Sequence, residues 1–247
     1  MNELSITAFF PVYNDQHTIE SLVRTAGEEL SKVTDDFEVL VVNDGSKDDS
    51  RAVLEGLASE LPWLRIIHHD QNMGYGRALI SGFQNAQKDL VFYTDGDGQY
   101  DVREIHKLLA ELKPGVDLVN GYKTNRADAW YRIWIGRLYQ LAMKRFFRLS
   151  IRDVDCDFRL FRRRVFEKIS LGSTSGIICV EMAKKFEQAG FLMAEVPVTH
   201  LPRLYGRSEF FRFRHLICTF GGLARIWWNL VLSPRLFTWM SIAEKKY

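Results

Sequence analysis

The sequence predicts an α/β fold: a mostly parallel sheet flanked by helices, with amphipathic helices toward the C-terminal end. Three observations predict it. Apolar strand-like runs alternate with helical-period segments through the first half of the chain, the pattern of βαβ units. Those runs are apolar nearly throughout, as strands covered on both faces are. Polar residues gather at their ends, where open parallel sheets place ligands.

In order, "SITAFFPVY" is the first strand, closed by Asn14-Asp15. No basic stretch precedes it, so it does not read as a signal peptide. "TIESLVRTAGEELSKV" is a helix, with Ile19, Leu22, Val23, Ala26 and Leu30 at helical spacing. "FEVLVVND" follows, closed by Asn43-Asp44-Gly45-Ser46, then a helix over "SRAVLEGLASEL". "LRIIHHD" is the third strand and "GRALISGFQNAQ" the next helix. "KDLVFYTD" runs into Asp95-Gly96-Asp97, followed by helical "VREIHKLLAELK" and strand-like "VDLVNGY". Beyond Tyr122 the pattern changes. "NRADAWYRIWIGRLYQLAMKRFFRLS" is helical, aromatic and basic, and "MAEVPVTHLPR" is a further strand.

The chain has 247 residues, 47% hydrophobic, with a net charge of +2. That is enough for one large core and gives no nucleic-acid footprint. Three scattered cysteines, with no Cys-x-x-Cys pair, suit neither a disulfide framework nor a zinc site.

The acidic run "YTDGDGQYD" carries the chemistry. In an extended backbone Asp95, Asp97 and Gln99 share one face. Two carboxylates and an amide oxygen are hard ligands, suited to Mg2+ or Mn2+. Such an ion neutralises charge on a departing diphosphate. Taken singly, Asp15, Asp44 and Ser46 read equally well as caps and turn formers.

"FFPVYND", "VVNDGSKDDS", "DQNMGYGRAL" and "YTDGDGQYD" resemble, in order and spacing, the motifs of family 2 glycosyltransferases of the GT-A fold. The nearer likeness is to polyprenyl-phosphate glycosyltransferases of the dolichyl-phosphate mannosyltransferase type. The resemblance implies a metal-dependent, inverting transfer of a hexose from a GDP- or UDP-linked donor to a polyprenyl phosphate. It also implies residue roles. Pro11, Tyr13 and Asp15 border the donor nucleotide, Asp44 reads its base, and Gly74, Gly76 and Arg77 close over it. Asp95 faces ribose and metal, Asp97 is the principal metal ligand and Gln99 an auxiliary one. Lys123, Arg137 and Ser208 hold the acceptor phosphate, and Arg203 touches the diphosphate. Asp97, Asp157 and Arg203 are the candidate catalytic residues. Three positions depart from the family pattern: Leu141 in place of a small hydroxyl residue, Asp157 in place of glycine, and Glu209 in place of lysine.

A phosphate acceptor, with a second pKa of roughly 6, needs no strong base. A sugar or glycolipid hydroxyl acceptor, the alternative, does. Asp153, Asp155, Asp157 and Glu181 are all open for that role. A non-enzymatic, membrane-associated nucleotide-binding module would leave the strand-end motifs idle.

Residues 1–209 form the expected catalytic domain. Residues 210–247 are apolar and aromatic, with arginines, and lack an unbroken spanning stretch. They are expected to lie at a membrane interface or to form a homo-oligomer contact. The expected location is cytoplasmic, peripheral on the cytoplasmic membrane face.

Overall fold

The structure, a computed structural model, describes residues 4–126, 130–203 and 221–233. One seven-stranded sheet organises them, in the order β3-β2-β1-β4-β6-β5-β7. The strands are β1 (Ser5–Val12), β2 (Asp36–Asn43), β3 (Leu64–His68), β4 (Leu90–Thr94), β5 (Leu118–Arg126), β6 (Phe158–Arg162) and β7 (Met193–His200). β6 is antiparallel to both β4 and β5, while the other pairings are parallel. The helices are α1 (Ile19–Ser31), α2 (Ser50–Glu60), α3 (Tyr75–Asn85), α4 (Ile105–Glu111), α5 (Trp130–Phe147), α6 (Val165–Lys168) and α7 (Ile178–Gln188). The α/β class with a mostly parallel sheet, read from the sequence, is the one observed; of the stretch expected to form C-terminal amphipathic helices, only residues 221–233 are described.

Alternation along the strands makes two cores. Ile6, Ala8, Phe10 and Val12 of β1 face α1, α2 and α4, while Phe9 packs with Leu79 and Phe83 of α3 on the other face. Each strand therefore needs an apolar residue at nearly every position. A third core joins Met143 and Phe147 of α5, Val180 and Ala183 of α7, and Leu223 and Val231. The last two lie in a helical stretch over 221–233 that ends in a π-turn at Trp228–Leu232.

β6 and α7 are not among the elements read from the sequence. "FRLFR" carries two arginines among three apolar residues, a mixture with no clean strand alternation. Arg159 is nevertheless only 1% exposed. Its guanidinium donates to the carbonyls of Val154 at 2.5 Å and Cys156 at 2.9 Å, which satisfies a charge that would otherwise be too costly to bury.

Candidate active site

The carboxyl ends of β1, β2 and β4 converge with the start of β6. Val12 pairs with Asn43, Phe9 with Tyr93, and Thr94 with Phe158. Because β6 runs backward, Asp157, just before it, arrives beside Asp95, just after β4. The β1–α1 and β2–α2 loops are laced together by side chains. The amides of Asn14, Asp15 and Gln16 donate to Ser46 Oγ (3.0 Å), Ser50 Oγ (3.1 Å) and Asp48 Oδ2 (3.1 Å). Asn14 adopts a left-handed φ of 59°, which Asn tolerates better than most residues. A cleft of about 450 Å3 results, lined by Asn14, Asp15, Thr18, Lys47, Asp48 and Asp97 among others.

Asp95-Gly96-Asp97 is a turn, not the extended segment expected from spacing. The cause is close packing. A Cβ on Gly96 would lie 2.8 Å from Pro11 O, and Thr18 Oγ1 donates to the Gly96 carbonyl at 2.7 Å. Asp97 Oδ1 accepts from the Gln99 amide at 3.0 Å, and its Oδ2 accepts from Arg203 Nη2. Gln99 is clamped at both ends of its amide: Nε2 donates to Leu201 O at 3.2 Å, and Oε1 accepts from Arg203 Nε at 3.3 Å. It therefore ties residues 201–203 to the acidic turn. Asp95 Oδ1 accepts from the Tyr75 hydroxyl at 2.7 Å. Asp157 Oδ1 accepts from the Tyr93 hydroxyl at 2.6 Å and Cys179 Sγ at 3.2 Å. Tyr75 and Tyr93 lie inside the family motifs but carry no implied role there, and Cys179 lies outside them; only packing brings the three here.

Electrostatics make this group a unit. Burial lifts Asp95 well above the usual carboxylate range, with Asp157, Asp97 and Asp15 adding repulsion. Burial also lifts Asp15 to about 6, against the Tyr13 amide, with Asp97 adding to the rise. Asp97 is raised by burial too, opposed by Arg203. Four carboxylates thus sense one another, and Arg203 is the cation that answers Asp15 and Asp97.

The remaining expected residues have other neighbours. Asp44, 3% exposed, accepts from the amides of Met73 and Gly74, each at 2.9 Å. It also contacts His69 Nδ1 at 2.6 Å. Its carboxylate thus fixes the loop before α3. Gly74 (φ 95°) and Gly76 let that loop meet the backbone of Ser173 and Thr174; a Cβ on Gly74 would lie 2.5 Å from Thr174 O. Arg77 is exposed and Tyr13 half-buried. Lys123 Nζ donates to Asp155 O at 2.6 Å and lies 3.9 Å from Asp153 Oδ2, so its charge is already engaged. Arg137 stands exposed on α5, 5.9 Å from the Trp134 ring, and shares no contact with Lys123. Among the four possible bases, Glu181 is committed to the Gly172 and Ser173 amides and Asp153 to Gln140 at 2.6 Å. Ser208 and Glu209 lie outside the described residues.

The residues fit a hard divalent cation. Asp95, Asp97 and Asp157 offer oxygen donors in a buried site with surplus negative charge, which such an ion would offset. Among the described residues no group of three or more His, Cys, Asp or Glu is placed to hold a metal ion by itself. Donor diphosphate oxygens and water would therefore complete the coordination, as is usual for Mg2+.

The sheet order, the reversed β6 and the acidic turn at the strand ends are those of a GT-A-type fold. The family model described as Glycosyl transferase family 2 matches residues 7–170, and the chain belongs to that family. Two relatives by sequence are glycosyltransferase AglD of Haloferax volcanii, 30% identical over 94% of this chain and 38% of its own length, and an undecaprenyl-phosphate 4-deoxy-4-formamido-L-arabinose transferase of Pseudomonas fluorescens, 29% identical over 83% and 60%. The chain thus spans less than two thirds of each. The fold is shared with mannosyltransferase PcManGT of Pyrobaculum calidifontis, solved with GDP-Man and Mn2+ (TM-score 0.67, 21% identity, 91% of this chain and 65% of that one). It is also shared with glucosyl-3-phosphoglycerate synthase of Mycobacterium tuberculosis, solved with Mn2+, UDP and phosphoglyceric acid (TM-score 0.67, 18% identity, 93% and 78%).

Proposed function

We propose that this glycosyltransferase moves a hexose, with inversion, from a GDP- or UDP-linked donor to a polyprenyl phosphate at a membrane surface. The observation that carries the reading is the cluster of Asp15, Asp95, Asp97 and Asp157 at the strand ends, answered by Arg203. Asp95 and Asp97 would hold Mg2+ or Mn2+, which when bound supplies positive charge against the departing diphosphate. Tyr75 orients Asp95 for that task. Arg203, paired with Asp97 here, has a stronger anion to grip once a diphosphate enters. The acceptor phosphate is already ionised at neutral pH, so no side chain need take its proton. The acceptor class follows the undecaprenyl-phosphate 4-deoxy-4-formamido-L-arabinose transferases among the relatives.

A second reading, transfer to a sugar or glycolipid hydroxyl, is favoured by one feature. Asp157 is held through Oδ1 by Tyr93 and Cys179, which leaves Oδ2 for a proton. Residues 1–209 would form the catalytic domain and 210–247 a membrane or oligomer contact, on the cytoplasmic face. No described helix is long and apolar enough to cross a membrane. The test is incubation with labelled nucleotide sugars, Mn2+ and either polyprenyl phosphate or soluble sugars. Label in the lipid phase is expected; label only on sugars overturns the lipid acceptor in favour of the second reading.

A further inference from the structure

We infer that the outward face of α5, on the catalytic fold itself, is a docking surface for an anionic lipid bilayer. This rests on the membrane part of the proposed function but moves the contact from residues 210–247 to α5. Trp134, Leu138 and Leu141 are 59%, 64% and 66% exposed and lie four and three residues apart, on one face of the helix. Ile135 and Phe146, 50% and 59% exposed, widen that face on one flank. The inward face is different: Met143 and Phe147 are buried in the third core. The helix is therefore not simply loosely packed. It is apolar on both sides, and one side has no partner among the described residues.

The patch continues onto the 221–233 helix. Trp227 Nε1 donates to Phe146 O at 3.0 Å, which docks that helix on the end of α5, and the next residue, Trp228, is 55% exposed. A contiguous apolar surface of this kind marks an interaction site.

Charge selects the occupant. α5 contains Arg132, Arg137, Lys144 and Arg145, Arg148 follows it, and Arg225 lies on the adjoining helix; neither helix contains an Asp or Glu. Arg137, Arg145, Arg148 and Arg225 are exposed. A second copy of the chain docked on this face would bring like charges together with no acid between them. Anionic headgroups compensate the arginines, and the aromatic and leucine side chains enter the acyl boundary. A tryptophan and arginine fringe is the composition that boundary favours. α5 begins four residues after β5, the strand that carries Lys123, so bilayer contact here would bring lipid toward the sheet end that carries the site.

The experiment is flotation of the full chain with phosphatidylglycerol–phosphatidylcholine vesicles and with pure phosphatidylcholine vesicles, using Leu138→Glu/Leu141→Glu and Arg145→Glu/Arg148→Glu. The leucine variant should lose at least about tenfold in partitioning to both vesicle types. The arginine variant should lose it on anionic vesicles only, and its residual binding should be insensitive to salt. Melting temperature and nucleotide affinity should be unchanged in both. Unaltered partitioning overturns the inference. So does a parent dimer that the leucine variant dissociates, because the face then meets a second copy. A large fall in melting temperature overturns it too, because the face is then covered by the chain's own residues. Transfer to a short, water-soluble prenyl phosphate without vesicles separates the two levels: if it proceeds while the variants float normally, the acceptor reading stands and the surface falls.

Discussion

Asp44→Ala should unseat the loop before α3 and, through Tyr75, the Asp95 carboxylate. The carboxylate receives the Met73 and Gly74 amides at 2.9 Å each and lies 2.6 Å from His69 Nδ1. A hydrogen bond to a charged group contributes about 1.5–3 kcal/mol. The three are not additive, since Met73 is 49% exposed and its amide can find water. His69 also keeps its contact with Ser81 Oγ at 2.9 Å. A net loss of about 3 kcal/mol follows, which for a chain of this size lowers Tm by roughly 6–12 °C. Tyr75 sits next to Gly74 and holds Asp95, so nucleotide affinity should fall as well. Asp44→Asn keeps one acceptor oxygen and should lie between the two. Thermal or urea melts and calorimetry with GDP and UDP measure both effects. A variant whose Tm stays within about 1 °C of the parent, with unchanged nucleotide affinity, would refute the reasoning.

Asp97→Ala should leave the fold intact, because it removes one of several crowded carboxylates, yet cut transfer by about a hundredfold or more and weaken Mn2+ binding; turnover assays and metal titration check it. Gly76→Ala drives a methyl into Ser173 O and should cost about 1–3 kcal/mol, seen as a lower Tm and faster proteolysis near residues 170–176. Asp155 is lifted by burial, against Lys123, to about 7. The folded protein therefore keeps a proton that the unfolded chain, with a carboxylate near 4, releases. Stability should fall as pH rises from about 4 to about 7, and Asp155→Asn should recover of the order of 2 kcal/mol at pH 8 and nothing near pH 4, as urea melts across pH would show. Stripping divalent metal should abolish transfer, and Mn2+ should restore it, as a chelator titration would measure.

The sequence by itself determined the parallel half of the fold. Strands buried on both faces must be apolar at nearly every position, so β1, β2 and β4 declare themselves, and the helices between them show the matching period. It also placed Asp15, Asp44 and Asp95 at one sheet edge, because parallel strands all end on the same side. It could not read β6. A short strand with arginines at two of five positions gives no buried-strand signal until the carbonyls of Val154 and Cys156 are there to receive Arg159. Without β6, the position of Asp157 beside Asp95 is invisible, since it follows from an antiparallel register between residues 64 apart. Nor could spacing reveal that Gly96 serves the approach of Pro11 O, or that Gly74 and Gly76 serve Ser173 and Thr174. Local pattern records what a residue must avoid, such as water or steric clash. Only the tertiary structure decides which distant group it meets, because that choice belongs to the packing of elements and not to the residue.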